Sequence, residues 1–155
     1  MVKQLAAMRY KEKIRKIMRV EQTVGREEWL DYRDELLKIM LHTEKRNQLK
    51  FASQIDEALL NRRAFLFVSE DGFFVLKPIV DEDSNTHVEV LFAFSWTDNA
   101  IDKYQSVVEE MTLMIGGKSI IIYTIITGLM PILKKHGYTL KTTAERLMCW
   151  DKQLS

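Results

Sequence analysis

The sequence is poor in the features that mark secreted or membrane-spanning proteins. Cys149 is its single cysteine among 155 residues, which rules out an intrachain disulfide and favours a reducing compartment. No run of about 18 apolar residues is present that could span a bilayer, and the N-terminus lacks the apolar core of a signal peptide. These absences predict a cytoplasmic protein, in its own cell or in that of a host, with no membrane partner. Basic and acidic side chains number 23 and 22, so a net charge of +1 gives no global field towards nucleic acid. Recognisable chemistry is scarce as well. There is no P-loop, dinucleotide fingerprint, zinc motif or serine-hydrolase elbow. Glu35, His42 and Glu44 lack the tight spacing of metal ligands, and the acidic stretch 81–86 lacks the mid-loop glycine and closing glutamate of a calcium loop. It reads as a solvated turn.

What is present suits one compact domain over 1–155, with a basic amphipathic segment at 1–25 and a body at 26–155. The 46% apolar and 10% aromatic residues are enough for a core. Charge is uneven along the chain. Residues 1–20 hold seven basic side chains against Glu12 alone, a net +6, which leaves −5 for the rest. Such a segment binds phosphate-rich partners or packs on the body's own acidic surface. Leu5, Met8, Ile14, Ile17 and Met18 fall roughly on one helical face, and Tyr10 is its single aromatic.

Periodicity then divides the body. The interruption at Thr23-Val24-Gly25 is followed by a helical pattern from about Arg26, with Trp29, Tyr32, Leu36, Leu37, Ile39 and Met40 as its apolar stripe. Thr43 is placed to cap a further helix with the stripe Leu49, Ile55, Leu59 and Leu60. From Ala64 the period becomes two. Runs at 64–68 and 73–76 flank Ser69-Glu70-Asp71-Gly72, a hairpin signal, and Pro78 marks the edge or end of the second strand. Val88 to Ser95 predicts a third strand, Asn99 to Ile115 a helix and Ser119 to Ile126 a strand. A short helix from Gly128 to His136 and one strand-like run from Tyr138 to Trp150 complete the pattern. The fold class is α/β (α+β): two or three N-terminal helices, an antiparallel meander, then β-α-β-α-β on a partly parallel sheet. Gly116-Gly117 is the turn between helix and strand.

This order of elements resembles the GNAT (Gcn5-related N-acetyltransferase) superfamily. The closest local likeness is Leu129-Met-Pro-Ile-Leu-Lys-Lys-His-Gly137-Tyr138, which looks like the family's last helix, ended by a left-handed glycine before an aromatic. The resemblance covers about 26–150. It implies a mixed GNAT-like sheet and, for an active member, acetyl-CoA as cofactor. The departures are equally specific. Family enzymes hold the pyrophosphate on a glycine-rich turn at a helix N-terminus. The turn here, Ser95-Trp-Thr-Asp-Asn-Ala100, has no glycine and places Asp98 as the expected cap, where a carboxylate repels phosphate. Many members carry a tyrosine four residues before the helix-ending glycine. Here that position is Leu133.

Three functions follow. The first is a GNAT-like protein without catalytic activity that acts through an unidentified protein partner; it resembles small degenerate GNAT-like proteins of tailed phages, which implies a phage-encoded chain. The second is an acyl-CoA-dependent N-acyltransferase with an atypical cofactor turn. In that case Glu89, where several family members place a general base, and Tyr123 are the candidate catalytic residues. Phe92, Phe94, Trp96, Asn99 and Ala100 are then the candidate acetyl-CoA-binding residues. The third is a nucleic-acid-associated module working through residues 1–20. The first ranks ahead because two elements of the enzymatic pattern are altered together. His136 reads as charge compensation at a helix C-terminus, and Cys149, between Met148 and Trp150, as a buried thiol. The oligomeric state is left open.

Overall fold

A computed structural model describes residues 24–154. The basic segment 1–20 and its amphipathic face lie outside the described residues. The chain forms β1 (Gly25–Glu27), α1 (Trp29–Asn47), α2 (Ala52–Leu60), β2 (Phe65–Ser69), β3 (Gly72–Val80), β4 (Thr86–Ser95) and α3 (Ala100–Met114). It continues with β5 (Ser119–Thr124), a 3-10 turn (Thr127–Leu129), α4 (Met130–Lys135), β6 (Thr139–Ala144) and β7 (Leu147–Gln153). Seven strands make one sheet in the order β1-β2-β3-β4-β5-β7-β6. Only β4 and β5 run parallel; the other neighbours are antiparallel.

The alternation of β3 separates two cores. Phe73 and Val75 face α1 and α2, where they are buried with Trp29, Tyr32, Leu36, Met40, Ile55 and Leu59. Phe74 and Leu76 face the other way, among Tyr104, Val107, Val108, Ile120, Ile122, Leu133 and Trp150. Fully burying one such side chain contributes about 1.5–3 kcal/mol, so each helix layer is held chiefly by its apolar stripe. At Gly72 a methyl group would come within 2.1 Å of the Phe94 carbonyl oxygen, so the β2–β3 turn approaches β4 only because that residue has no side chain. Gly116, with φ +75, turns the chain between α3 and β5.

Several boundaries differ from the sequence expectations. Gly25–Glu27 is an edge strand paired to Leu66–Val68, and the helix starts at Trp29 instead of Arg26. Arg26 lies 4.4 Å above the Phe65 ring, a contact across the strand pair that helical periodicity does not register. Thr43 sits inside α1, where its hydroxyl donates to the Ile39 carbonyl at 3.0 Å. Glu44 caps α2 instead: its Oε2 accepts the Ala52 and Phe51 amides, each at 2.9 Å, and these bonds lower the carboxyl's proton affinity. β3 continues through Pro78 to Val80. The missing amide is tolerated because the β2 partner ends at Leu76, leaving that stretch an edge. The run from Tyr138 to Trp150 is a hairpin, not one strand; it reverses at Glu145, with φ 57, and inserts β7 antiparallel between β5 and β6. The acidic stretch is a turn closed by Asp81, whose Oδ1 accepts the Asp83 and Asn85 amides. His87 joins that turn to β5, with Nε2 2.7 Å from Asp81 and Nδ1 2.7 Å from the Ser119 hydroxyl.

Candidate functional site

The site begins where β4 and β5 separate. Their parallel ladder covers only Val88↔Ile120, Glu89↔Ile121 and Val90↔Ile122. Beyond it β4 keeps its pairing with β3 but in a shifted register: Leu76 faces Val90 while Val75 faces Phe92, leaving Leu91 as an extra residue. Such a bulge bends and twists its strand. Past that point β4 runs to Ser95 and β5 to Thr124 without pairing to each other, and a cleft of about 740 Å³ opens between them. Phe51 and Ile55 from the α1–α2 side, Phe92 and Phe94 of β4, Tyr123 of β5, Ile125 and Ile126 just after it, and Leu129 give it apolar walls.

Phe92 and Phe94 border the cleft, but their rings also belong to the α1–α2 core. Phe92 stacks on Phe51 and lies tilted against Phe73, both at 5.6 Å, and Phe94 packs on Phe73 at 6.1 Å. Asn99 and Ala100 border the cleft at the start of α3. Trp96 does not. It is 56% exposed, edge-on to Phe94, with its backbone N–H donating to the Asp71 carbonyl at 2.7 Å.

The two candidate catalytic residues lie on neighbouring strands of this end. Glu89 borders the cleft between cross-strand neighbours Lys77 and Ile121. Burial raises its proton affinity, and the charge of Lys77 acts in the opposite direction. Tyr123 borders the cleft and is 49% exposed. Its hydroxyl is pushed above its ordinary pKa by a hydrogen bond with Cys149, then by burial and by the charges of Cys149 and Glu89. Cys149, its cross-strand partner on β7, is half-buried. The other two tyrosines near this layer are core residues. Burial drives Tyr104 up to about 12, and Tyr138 rises as well, with its hydroxyl donating to Gln105 Oε1 at 3.0 Å.

The turn before α3 satisfies its own amides. Ser95 Oγ accepts the Thr97 and Asp98 amides at 3.2 and 3.1 Å, and Asn99 Oδ1 accepts those of Ile101 and Asp102 at 2.9 and 3.2 Å. Asn99, not Asp98, is therefore the cap: its extended backbone aims the short amide side chain at the first turn. Asp98 points outward, 68% exposed and 3.8 Å from Lys103 Nζ, which also pairs with Asp71. At the far end of α4, Gly137 has φ +88 and ends the helix in the left-handed region. Leu133 is fully buried, so its side chain belongs to the core; Leu129 is the one that reaches the cleft. His136 Nε2 lies 2.6 Å from Asp102 Oδ1, tying the end of α4 to the start of α3.

The sequence alone did not point to Arg46, Lys50 and Lys77, three cations that also border the cleft. The basic last turn of α1 was visible, but nothing local shows that the α1–α2 connection faces β4.

No family model matches the chain, and no curated protein matches it. Solved structures do. An acetyltransferase of the GNAT family from Listeria monocytogenes 4b F2365 is similar with a TM-score of 0.57 at 12% identity, over 81% of this chain and 88% of that one. A Bacillus subtilis acetyltransferase in complex with CoA gives 0.51 at 14%, over 66% and 84%. Arabidopsis thaliana Naa50, in complex with the bisubstrate analogue CoA-Ac-MVNAL, gives 0.50 at 11%, over 76% and 93%. The fold is GNAT-like. At identities this low the likeness carries the fold and not an activity. Within the GNAT-like frame the left-handed Gly137 keeps the expected pattern. The turn at 95–99 and position 133 depart from it. Among the described residues no group of three or more His, Cys, Asp or Glu could hold a metal ion, and no helix is long and apolar enough to cross a membrane.

Proposed function

We propose that this GNAT-like chain is a binding protein without catalytic activity, whose β4–β5 cleft receives a segment of a protein partner. The observation that carries this reading is the self-capped turn at 95–99. Four amides at or near the N-terminus of α3, those of Thr97, Asp98, Ile101 and Asp102, already donate to Ser95 Oγ and Asn99 Oδ1. A diphosphate on this turn would displace both side chains. A helix cap alone is worth about 0.5–2 kcal/mol, and the Asp98 and Asp71 carboxylates add repulsion. Solved neighbours in complex with CoA make acetyl-CoA a natural ligand to test. The apolar cleft suits its pantetheine arm, but the turn does not fit its diphosphate.

A second reading, an acyl-CoA-dependent N-acyltransferase with an atypical turn, is favoured by one observation. Glu89 borders the cleft with its proton affinity raised by burial, which suits a base that takes a proton from an amine. Tyr123, at the same end, is the tyrosine placed to return one.

Thermal unfolding with and without millimolar acetyl-CoA separates the two. A ligand at a hundred times its Kd stabilises the folded state by about 2.7 kcal/mol. An unchanged Tm is the expected result. A rise of several degrees transfers the cleft to the acyltransferase reading.

A further inference from the structure

The cleft has an uneven charge. Arg46 and Lys50, both exposed, border it on the α1–α2 side, and Lys77 borders it from β3. None of the three makes an ion pair among the described residues. Lys50 helps to lower the pKa of Glu44, so its charge is partly balanced by that carboxylate. Lys77 is opposed to Glu89 across the β3–β4 pair, so its charge is partly balanced. The other carboxylate in the lining, Asp98, lies 3.8 Å from Lys103 Nζ. The lining therefore holds three cations against two carboxylates, and Arg46 and Lys50 put the excess positive charge on the α1–α2 wall. Arg46 also suits the C-terminal dipole of α1, but a helix end does not require a further cation at Lys50, after the helix has stopped.

The same cleft exposes the edge of β4 beyond Val90, where no strand pairs with it on the β5 side. An unpaired edge in a cleft accepts an extended chain through its backbone groups, while the walls select side chains. From this juxtaposition we propose that the occupant is an extended acidic segment of a partner protein, laid along β4 with its carboxylates towards Arg46 and Lys50 and an apolar side chain against Phe51. The proposal rests on the binding reading above and adds the partner's chemistry.

Fluorescence anisotropy with three labelled nine-residue peptides tests it, alternating Phe with Glu, with Ser or with Lys, together with a labelled nine-nucleotide oligo-dT. The Glu peptide should bind at least tenfold tighter than the Ser peptide, the Lys peptide weakest, with affinity falling as salt is raised. Arg46→Glu with Lys50→Glu should weaken the Glu peptide at least tenfold and improve the Lys peptide. Lys118→Glu, the same kind of charge change on the exposed α3–β5 turn, should change neither. Equal binding of the three peptides, or a Glu peptide indifferent to Arg46→Glu and Lys50→Glu, overturns the acidic partner but leaves peptide binding standing. Oligo-dT binding as tightly as the Glu peptide through the same two cations overturns the protein partner in favour of a nucleic acid. Binding of no peptide, with a Tm that rises in acetyl-CoA, removes the binding reading along with the proposal; binding of no peptide without that rise removes the proposal on its own.

Discussion

The end of α4 and the start of α3 treat the GNAT-like pattern in opposite ways. At the end of α4 the helix stop is kept, since Gly137 takes φ +88 and Tyr138 leads into β6, although a buried Leu133 stands where many members carry a tyrosine. At the start of α3 the pattern is closed off, because Ser95 and Asn99 occupy the amides that a glycine-rich turn would leave free. Both ends are equally well satisfied as folded structure. The difference lies in what they could still bind, since the first is a junction between helix and strand and the second would need an external anion to be more than one.

The largest effect expected from perturbing this comparison is at Leu133. Leu133→Ala should cost about 2–5 kcal/mol in urea denaturation, because a fully buried leucine leaves a cavity. Leu133→Tyr should also destabilise, by about 1–3 kcal/mol through overpacking. Next come the two junction residues themselves. Gly137→Ala should cost about 1–2 kcal/mol for a left-handed alanine, with Lys152 Cε 3.3 Å from the new methyl group. Asn99→Ala should cost about 1 kcal/mol for the lost cap. If Asn99→Ala is neutral in thermal melts, the turn is not held as described.

Freeing the amides sharpens the contrast. Ser95→Ala combined with Asp98→Gly should lower the basal Tm slightly and convert an absent acetyl-CoA shift into a measurable one. No gain would show that the diphosphate is excluded by something other than this turn.

Acid should act through a different pair. Arg33 donates to Asp56 at 2.8 and 2.9 Å and Trp29 Nε1 donates at 2.7 Å. The hydrogen bond from Arg33, against burial and aided by that from Trp29, holds the Asp56 carboxyl below its ordinary 3.8. A depressed folded pKa gives stability that is complete above the unfolded value and lost as pH falls through the folded one. Melts from pH 6 to pH 2 should therefore drop below about pH 4, and Asp56→Asn should flatten part of that drop. The smallest effect is expected at Glu89, whose burial raises its pKa and penalises the charged form above the ordinary value. Glu89→Gln should raise the Tm at pH 7 by the equivalent of less than about 1 kcal/mol and leave it unchanged at pH 4.

Local chemistry was legible wherever a few neighbours decide it. The β2–β3 hairpin follows from Asp71-Gly72, the helix stop from Gly137, the α1 stripe from residues spaced three and four apart. The class of the sheet followed from the order of these pieces. Less was readable where a competing contact lies far off in sequence. Arg26 and Glu27 looked helical because their pairing with β2 lies some forty residues away. Thr43 looked like a cap because the carboxylate that caps α2 sits on the preceding helix. The single run after Tyr138 concealed a reversal at Glu145, a residue with no glycine to mark it.

The sequence by itself determined the helical stripes of α1 and α3, the β2–β3 hairpin and most of the residues apolar enough to be buried, because periodicity and propensity act within a few residues. It also showed the absence of glycine at 95–100. Only the tertiary structure decided that Glu89 and Tyr123 border one cleft, that Trp96 lies outside it, and that Arg46 and Lys50 face β4. Those placements depend on the shifted register at Leu91 and on how α1 and α2 lie across the sheet. Both are set by packing between segments distant in the chain, for which no local pattern carries a sign.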